Sequence, residues 1–149
     1  MASVLIANPT IDPRCTPFRL SIRESAIHQR GVYADEPIPA HRKVIEYTGE
    51  KINRRETKRR GNGSLTYLFT LDDYWTLDGS VGGSGAEIIN HSCQPNLRSS
   101  ITKGHILYWS KRPIERGEEL TIDYLFSKKV ERVPCQCGAA NCRGTINVK

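Results

Sequence analysis

Three cysteines, Cys135, Cys137 and Cys142, crowd the C-terminal end of this chain in a short segment that contains glycine. Thiols this close, in a chain whose N-terminus shows no export signal, point to a metal before disulfides. Zinc in structural sites takes four ligands and favours deprotonated thiolates. Three ligands are local, so a fourth comes from elsewhere, and Cys93 in Asn90-His91-Ser92-Cys93 is the natural donor. One structural zinc ion on Cys93, Cys135, Cys137 and Cys142 would clamp the tail against the middle of the chain and contribute to ordering it. The competing account is a set of free buried thiols. Cys15 stands apart and is assigned to packing or the surface rather than to ligation.

The bulk properties are those of one domain. The chain has 149 residues, 38% hydrophobic and 26% charged, an ordinary balance for a globular protein with one modest core. No apolar run approaches the roughly 20 residues of a membrane helix. Met1 to Pro17 lacks the basic head and apolar block of a signal peptide. The expectation is an intracellular, cytoplasmic protein, with secretion as an effector or a nuclear location left open. Net charge is +6, and much of the excess lies in Lys51 to Arg60, read KINRRETKRR. The bland reading is a solvated helix face; the sharper one is a footprint for nucleic acid or an acidic partner.

Along the chain the pattern is mainly β with short helices. Phe18 to Ile22, Val32 to Ala34 and Lys43 to Tyr47 read as strands. Asn53 to Arg60 is the best helix, with Gly61-Asn62-Gly63 as its stop. Tyr67 to Leu71 and Trp75 to Asp78 flank a hairpin turn, and Leu97 to Ile101 and His105 to Trp109 flank a stronger one at Lys103-Gly104. Glu119 to Asp123 reads as a final strand. The glycine-rich stretch Gly79 to Gly85 lacks the lysine and spacing of a phosphate loop and reads as a flexible connector.

Four segments together resemble the SET domain family of protein-lysine methyltransferases. They are Arg30-Gly31-Val32-Tyr33-Ala34, Glu46-Tyr47-Thr48-Gly49-Glu50, Ile89-Asn90-His91-Ser92-Cys93-Gln94-Pro95-Asn96 and Gly117-Glu118-Glu119-Leu120-Thr121-Ile122-Asp123-Tyr124. The terminal Cys-x-Cys-x4-Cys-Arg-Gly resembles the family's post-SET motif. The resemblance implies small curved β-sheets around a pseudoknot, with the Asn90 to Asn96 segment threaded against the strand of residues 119–124. It divides the chain into an extension over 1–17, a SET domain over 18–127 and a zinc-bound tail over 128–149. It implies S-adenosyl-L-methionine as cofactor and, as partner, a protein presenting a lysine, whether histone, histone-like or another protein.

The family's site residues carry over position by position. Arg30, Gly31 and Val32 would face the methionine end of the cofactor. Asn90 and His91 would hold its amino-acid and adenine portions, with Tyr67 at the rim. Tyr124 would be the central catalytic residue, and Tyr47, Ile122 and Tyr124 would line the lysine channel. A glycine at position 31 suits a close backbone approach. Buried tyrosines with satisfied hydroxyls, and a structural His91, are the plainer readings of the same residues.

The chain departs from the family in three places. Gln29-Arg30-Gly31 stands for Gly-x-Gly. Ile88-Ile89, with Glu87 before them, stands where Arg-Phe is common. Ile122 stands where Phe or Tyr is common, and an aliphatic residue there predicts more than monomethylation. The short span between Glu50 and Tyr67 resembles compact stand-alone SET proteins of bacteria and large viruses. A catalytically inactive, zinc-stabilised module binding peptide or nucleic acid is the alternative function. A small-molecule methyltransferase is disfavoured by the narrow channel that the resemblance implies.

Overall fold

The computed structural model describes residues 9–61, 67–125 and 132–148. Part of the expected extension, Asn62 and Gly63 of the helix stop, and residues 126–131 around the expected domain boundary lie outside them.

The strands in chain order are β1 (Leu20–Glu24), β2 (Arg30–Ala34), β3 (Lys43–Tyr47), β4 (Glu50–Ile52), β5 (Leu68–Thr70), β6 (Thr76–Asp78), β7 (Asn90–His91), β8 (Leu97–Thr102), β9 (His105–Ser110) and β10 (Thr121–Ile122). One α-helix, α1 (Arg54–Arg60), and two 3-10 turns, Pro13–Cys15 and Ala86–Ile88, complete the described elements. Local chemistry accounts for most of them. Lys103 and Gly104 have φ of 51° and 80°, the left-handed pair that lets a two-residue hairpin follow the twist of its strands. Asn53 caps α1 by accepting the Glu56 N–H at 2.9 Å, as an N-cap side chain does.

The strands form two three-stranded sheets, β3-β9-β8 and β4-β6-β5, and two pairs, β1-β2 and β7-β10. In β9 the alternation of Ile106, Tyr108 and Ser110 inward with more exposed neighbours follows the strand period. In β3 the register shifts between Lys43 and Ile45. Such a bulge lets the consecutive Val44 and Ile45 both lie fully buried. Around them Val32, Ile38, Leu97, Ile106, Ile114 and Leu120 form the centre of the core.

Two expectations shift. The first strand begins at Leu20 rather than Phe18, because the Thr16 hydroxyl takes the Phe18 N–H at 3.1 Å and Glu36 takes the Arg19 N–H at 2.7 Å. The last strand shortens to Thr121–Ile122 because its segment serves two partners. The Leu120 N–H donates to Val32 of β2 at 2.7 Å, and then Thr121 and Ile122 pair in parallel with Asn90 and His91. The Asn96 side chain fastens this crossing, donating to the Glu119 carbonyl and accepting the Thr121 N–H, both at 2.9 Å. The expected contact of segments 90–96 and 119–124 is therefore present.

A third expectation is corrected. Gly79 to Gly85 is not a loose connector. Ser84 is fully buried and donates to the Glu46 carbonyl at 2.5 Å, and the Gly85 N–H donates to the buried Glu87 carboxylate at 2.8 Å. A Cβ on Gly79 would meet Tyr47 Oη and Glu87 Cβ, each at 2.7 Å. Only Val81 and Gly82 at the tip are exposed.

The basic segment is a partly neutralised surface. α1 buries no residue. Arg60 pairs with Glu50, Glu56 and Asp78 at 2.6, 3.0 and 2.8 Å, Arg59 pairs with Glu56, and Lys51 lies 4.8 Å over the Trp75 ring. Among the described residues, no helix is long and apolar enough to cross a membrane.

Candidate functional site: a four-thiol cluster beside a cleft

The crossing of β7 and β10 decides what can meet where. It sets Cys93, two residues beyond β7, against the C-terminal tail. The sulfurs of Cys93, Cys135, Cys137 and Cys142 all lie within 4.8 Å of one another, and those of Cys93 and Cys135 are 3.8 Å apart. Zinc–thiolate bonds of about 2.3 Å in a tetrahedron require sulfur–sulfur edges of about 3.8 Å. The cluster therefore fits one tetrahedral ion. Backbone N–H groups also converge on the sulfurs. Arg143 donates to Cys93 at 3.3 Å, Cys93 to Cys137 at 3.5 Å and Gly144 to Cys142 at 3.4 Å.

Burial opposes ionisation of Cys137, but N–H donation from Cys93 and Ala139, together with the neighbouring Cys135 and Cys142 thiols, outweighs it and lowers that thiol to about 6. Burial raises Cys135 in the opposite direction. Neighbouring thiolates repel, so a cation is what allows all four to ionise together. Cys15 lies outside the cluster and packs against the core.

His91 joins this cluster to the interior. Its Nδ1 accepts the Tyr124 backbone N–H at 3.0 Å, and its Nε2 lies 3.5 Å from Cys93 Sγ. An Nδ1 that accepts carries no proton, so Nε2 holds it and donates toward the sulfur. Burial lowers the imidazole's affinity for a second proton, with Arg143 acting in the same direction and Asp123 against it. Asp123 Oδ1 lies 3.5 Å from Nδ1, but the neutral tautomer makes this a neighbour rather than an ion pair. Arg143 takes Asp123 instead, with a two-bond fork at 2.8 and 3.1 Å.

A cleft of about 240 Å³ opens beside these groups, lined by Ile27, His28, Asn90, His91, Tyr124 and, from the tail, Val133, Pro134, Cys135, Gln136 and Ile146. Three of the expected cofactor and catalytic residues meet there, Asn90, His91 and Tyr124, beside the expected metal ligand Cys135. Arg30, Gly31, Val32 and Tyr67 stand outside its lining. Val32 is fully buried in the core, and the Arg30 carbonyl accepts from Asn90 Nδ2 at 2.9 Å. Gly31 has a reason that the sequence did not reveal. A Cβ there would lie 2.8 Å from Glu119 Cδ and 3.1 Å from Asn90 Nδ2. The missing side chain makes room for protein atoms.

Tyr124 lines the cleft and packs against the core. Its hydroxyl donates to the Ile89 carbonyl at 2.6 Å, and burial raises the phenol far above its usual range. Tyr47, Phe69 and Tyr108 pack together, with Tyr47 and Phe69 ring centroids 5.2 Å apart. The Tyr47 hydroxyl donates to the Tyr67 carbonyl, and Ile122 is buried on β10.

Comparison with known proteins decides the family. The SET domain model matches residues 29–125. This chain belongs to the SET domain family. It is 42% identical over 139 residues to the histone-lysine N-methyltransferase SETD1 of Drosophila melanogaster, covering 87% of this chain and 8% of that protein. It is 39% identical over 137 residues to the histone-lysine N-methyltransferase trithorax of Drosophila virilis, covering 86% and 4%. A histone-lysine N-methyltransferase of Aspergillus oryzae, described as H3 lysine-4 specific, is 41% identical over 137 residues, covering 83% and 11%. The SET chain thus spans about a tenth or less of these relatives, which are long proteins rather than the compact ones that its short central span resembles.

The residues that sequence reasoning missed are mostly those with no chemistry of their own to advertise. Ile27, Val133, Pro134 and Ile146 are apolar cleft walls. Val133 and Pro134 adjoin Cys135, so their place at the junction of tail and core was readable once the thiol cluster was expected. Ile27 carried no such signal.

Proposed function

We propose that this chain is a protein-lysine N-methyltransferase that uses S-adenosyl-L-methionine, and that its substrate is a histone, with lysine 4 of histone H3 the first target to test. One observation carries the reading: a single cleft gathers Asn90, His91 and Tyr124 with Cys135 of the four-thiol tail. The substrate is suggested by relatives described as H3 lysine-4 specific. Zinc on Cys93, Cys135, Cys137 and Cys142 is structural in this reading, since four protein ligands leave no open position.

S-adenosyl-L-methionine, when bound, supplies a methyl group activated by its sulfonium. The cleft suits such a group in kind, with apolar walls at Ile27, Val133 and Ile146 and polar groups at Asn90 and His91. Its volume lies below the usual range of ligand pockets, so it would hold part of the cofactor. Asn90 and His91 would form the wall that meets it, their side-chain N–H groups already held by Arg30, Glu119 and Cys93. Arg30 and Gly31 would act through the adjoining backbone, Val32 by packing beneath it, and Tyr67 at the rim.

Tyr124 is the proposed catalytic residue. Its phenol is protonated at neutral pH, as any phenol is, and burial raises it further, so it serves as a fixed dipole rather than a base. Tyr47, Ile122 and Tyr124 would line the lysine's path. Weakly polar surroundings disfavour the ammonium, so the amine loses its proton more readily there. Alignment of the amine is a proximity effect. Ile122 brings no hydroxyl to restrain a methylated amine, and products beyond monomethyl-lysine are expected.

The test is radiolabelled methyl transfer to histone H3 by wild-type and Tyr124→Phe protein, with S-adenosylhomocysteine binding measured by calorimetry. The variant should lose roughly 100-fold or more in kcat while binding changes by less than about three-fold. Equal labelling by both proteins would remove Tyr124 from its role. Absence of cofactor binding by the wild type would favour a non-catalytic module. Mass spectra stopping at one methyl group would overturn the Ile122 prediction.

A further inference from the structure

The cleft wall formed by Ile27 and His28 belongs to a loop without regular structure, joining β1 to β2. Something outside the loop has to fix it. Within it, the Ser25 N–H donates to the Gln29 carbonyl at 3.0 Å, and Gln29 has φ of 38°. The Ser25 hydroxyl oxygen accepts the Ile27 N–H at 3.0 Å and lies 3.1 Å from Asn90 Nδ2. Its one proton is shared between the two carboxylate oxygens of Glu119, at 2.9 and 2.8 Å.

Glu119 is thus tied to both sides of the cleft. Its Oε2 accepts from Asn90 Nδ2 at 2.9 Å, and its Oε1 lies 3.3 Å from the Tyr33 hydroxyl, whose proton goes to the Glu24 carbonyl at 2.8 Å. Among the described residues no ion pair engages it. A carboxylate satisfied by neutral donors alone acts as an acceptor with fixed directions, and hydrogen bonds to an ionised group are stronger than neutral ones. The carboxylate also occupies the space left by the absent side chain of Gly31. The glycine, the acid, the serine and the asparagine form one interlocked set.

We propose that Glu119, acting through Ser25, is a positioning residue for cofactor binding: it sets the 25–29 loop against Asn90 and so fixes the cleft wall at Ile27 and His28. Neither residue lines the cleft, and neither touches the reacting atoms. This rests on the reading that the cleft takes S-adenosyl-L-methionine.

The experiment uses the full zinc-loaded chain and S-adenosylhomocysteine as the probe, with wild type, Glu119→Gln, Ser25→Ala and Ser25→Thr compared by calorimetry. Glu119→Gln and Ser25→Ala should each weaken binding about ten-fold or more, and Ser25→Thr, which keeps the hydroxyl, should recover to within about three-fold of wild type. In steady-state methylation the two damaging variants should raise KM for the cofactor while kcat stays within about two-fold. Zinc content and thermal unfolding are followed in parallel. Should Glu119→Gln fail to fold, Ser25→Ala and its threonine rescue carry the test alone. Unchanged binding by Ser25→Ala, or a fall in kcat at constant KM, overturns the proposal. Failure of the wild type to bind the probe instead overturns the assignment of the cleft.

Discussion

Two segments of this molecule have little regular structure and several glycines, yet they are ordered by different means. The Gly79 to Gly85 loop is held by the chain itself. Asp78 accepts the Ser80 N–H at 2.9 Å, Ser84 donates to the Glu46 carbonyl, and buried Glu87 accepts the Gly85 N–H. Among its described residues, the tail over 132–148 closes on itself with a Pro134–Thr145 bridge, a few backbone bonds and side-chain bonds from Arg143, Thr145 and Asn147. Four thiols then meet at its junction with Cys93. The first segment uses hydrogen bonds in a dry interior, where each is strong because the alternative is an unsatisfied buried group. The second has little apolar surface to bury and gathers groups that repel one another without a cation. Its order should therefore depend on metal, and that of the loop should not.

Metal removal gives the largest expected effect and the sharpest break between the two. A strong chelator, or Cys135→Ser, should release the tail and weaken S-adenosylhomocysteine binding by about 100-fold or more, because structural zinc contributes directly to local folding. Hydrogen exchange should rise over residues 132–148 while the amides of Ser84 and Gly85 stay protected. Equal loss of protection in both segments would show that the loop, too, depends on the metal.

The converse experiment damages the loop. A Cβ on Gly83 would lie 2.5 Å from Glu87 Oε1 and 2.6 Å from Glu87 Cδ. Gly83→Ala should cost roughly 2–4 kcal/mol in urea unfolding, as overpacking at a rigid site does. Gly82→Ala, at the open tip with φ of 70°, should cost only about 1 kcal/mol for its left-handed backbone. Zinc stoichiometry should be unchanged in both. Equal costs would mean that the loop yields and is the flexible connector its composition suggests.

The comparison also explains what the sequence made legible. The thiol site could be read because three of its ligands are close in the chain, so spacing alone carries the message. The Lys103-Gly104 hairpin could be read because its turn needs two left-handed residues. The loop at Gly79 to Gly85 was misjudged because glycine reports conformational freedom in the unfolded chain, not whether a neighbouring acid will fill the space. Gly31 illustrates the same limit: its necessity comes from Glu119, 88 positions later by the numbering of the two residues. Asn90, His91 and Tyr124 were found through resemblance, whereas Ser25 and Glu119 matter through contacts that only the folded chain brings together.

Glu87 offers a smaller test within the loop. Burial raises its carboxyl, against the opposing effect of N–H donation from its own backbone and Gly85. The groups it influences, Tyr47, Tyr67 and Tyr108, are phenols, neutral across this range and raised further by burial. A raised value in the folded state means that the folded protein holds this proton more tightly than the unfolded chain does. The resulting stabilisation is fully present below the unfolded value near 4.5 and is lost as pH rises through the folded one. Glu87→Gln keeps an acceptor for Gly85 without the charge. Its stability should match wild type near pH 4 and exceed it increasingly toward neutrality. A constant difference across that range would show that Glu87 ionises as freely folded as unfolded.

The smallest effect concerns what the chain itself contributes to the tail. Arg143 forks onto Asp123 and also donates to the Ile146 carbonyl at 2.7 Å, linking the tail to the residue beside Tyr124. Both side chains keep about a fifth of their surface in solvent, so the pair is partly screened. Lysine could keep the charge but not the planar fork. Arg143→Lys should cost about 1 kcal/mol or less and weaken zinc retention against a competing chelator by less than about ten-fold. A loss comparable to that of Cys135→Ser would make the fork, rather than the metal, the principal fastening of the tail. The contrast between a loop ordered by hydrogen bonds and a tail ordered by metal would then fail.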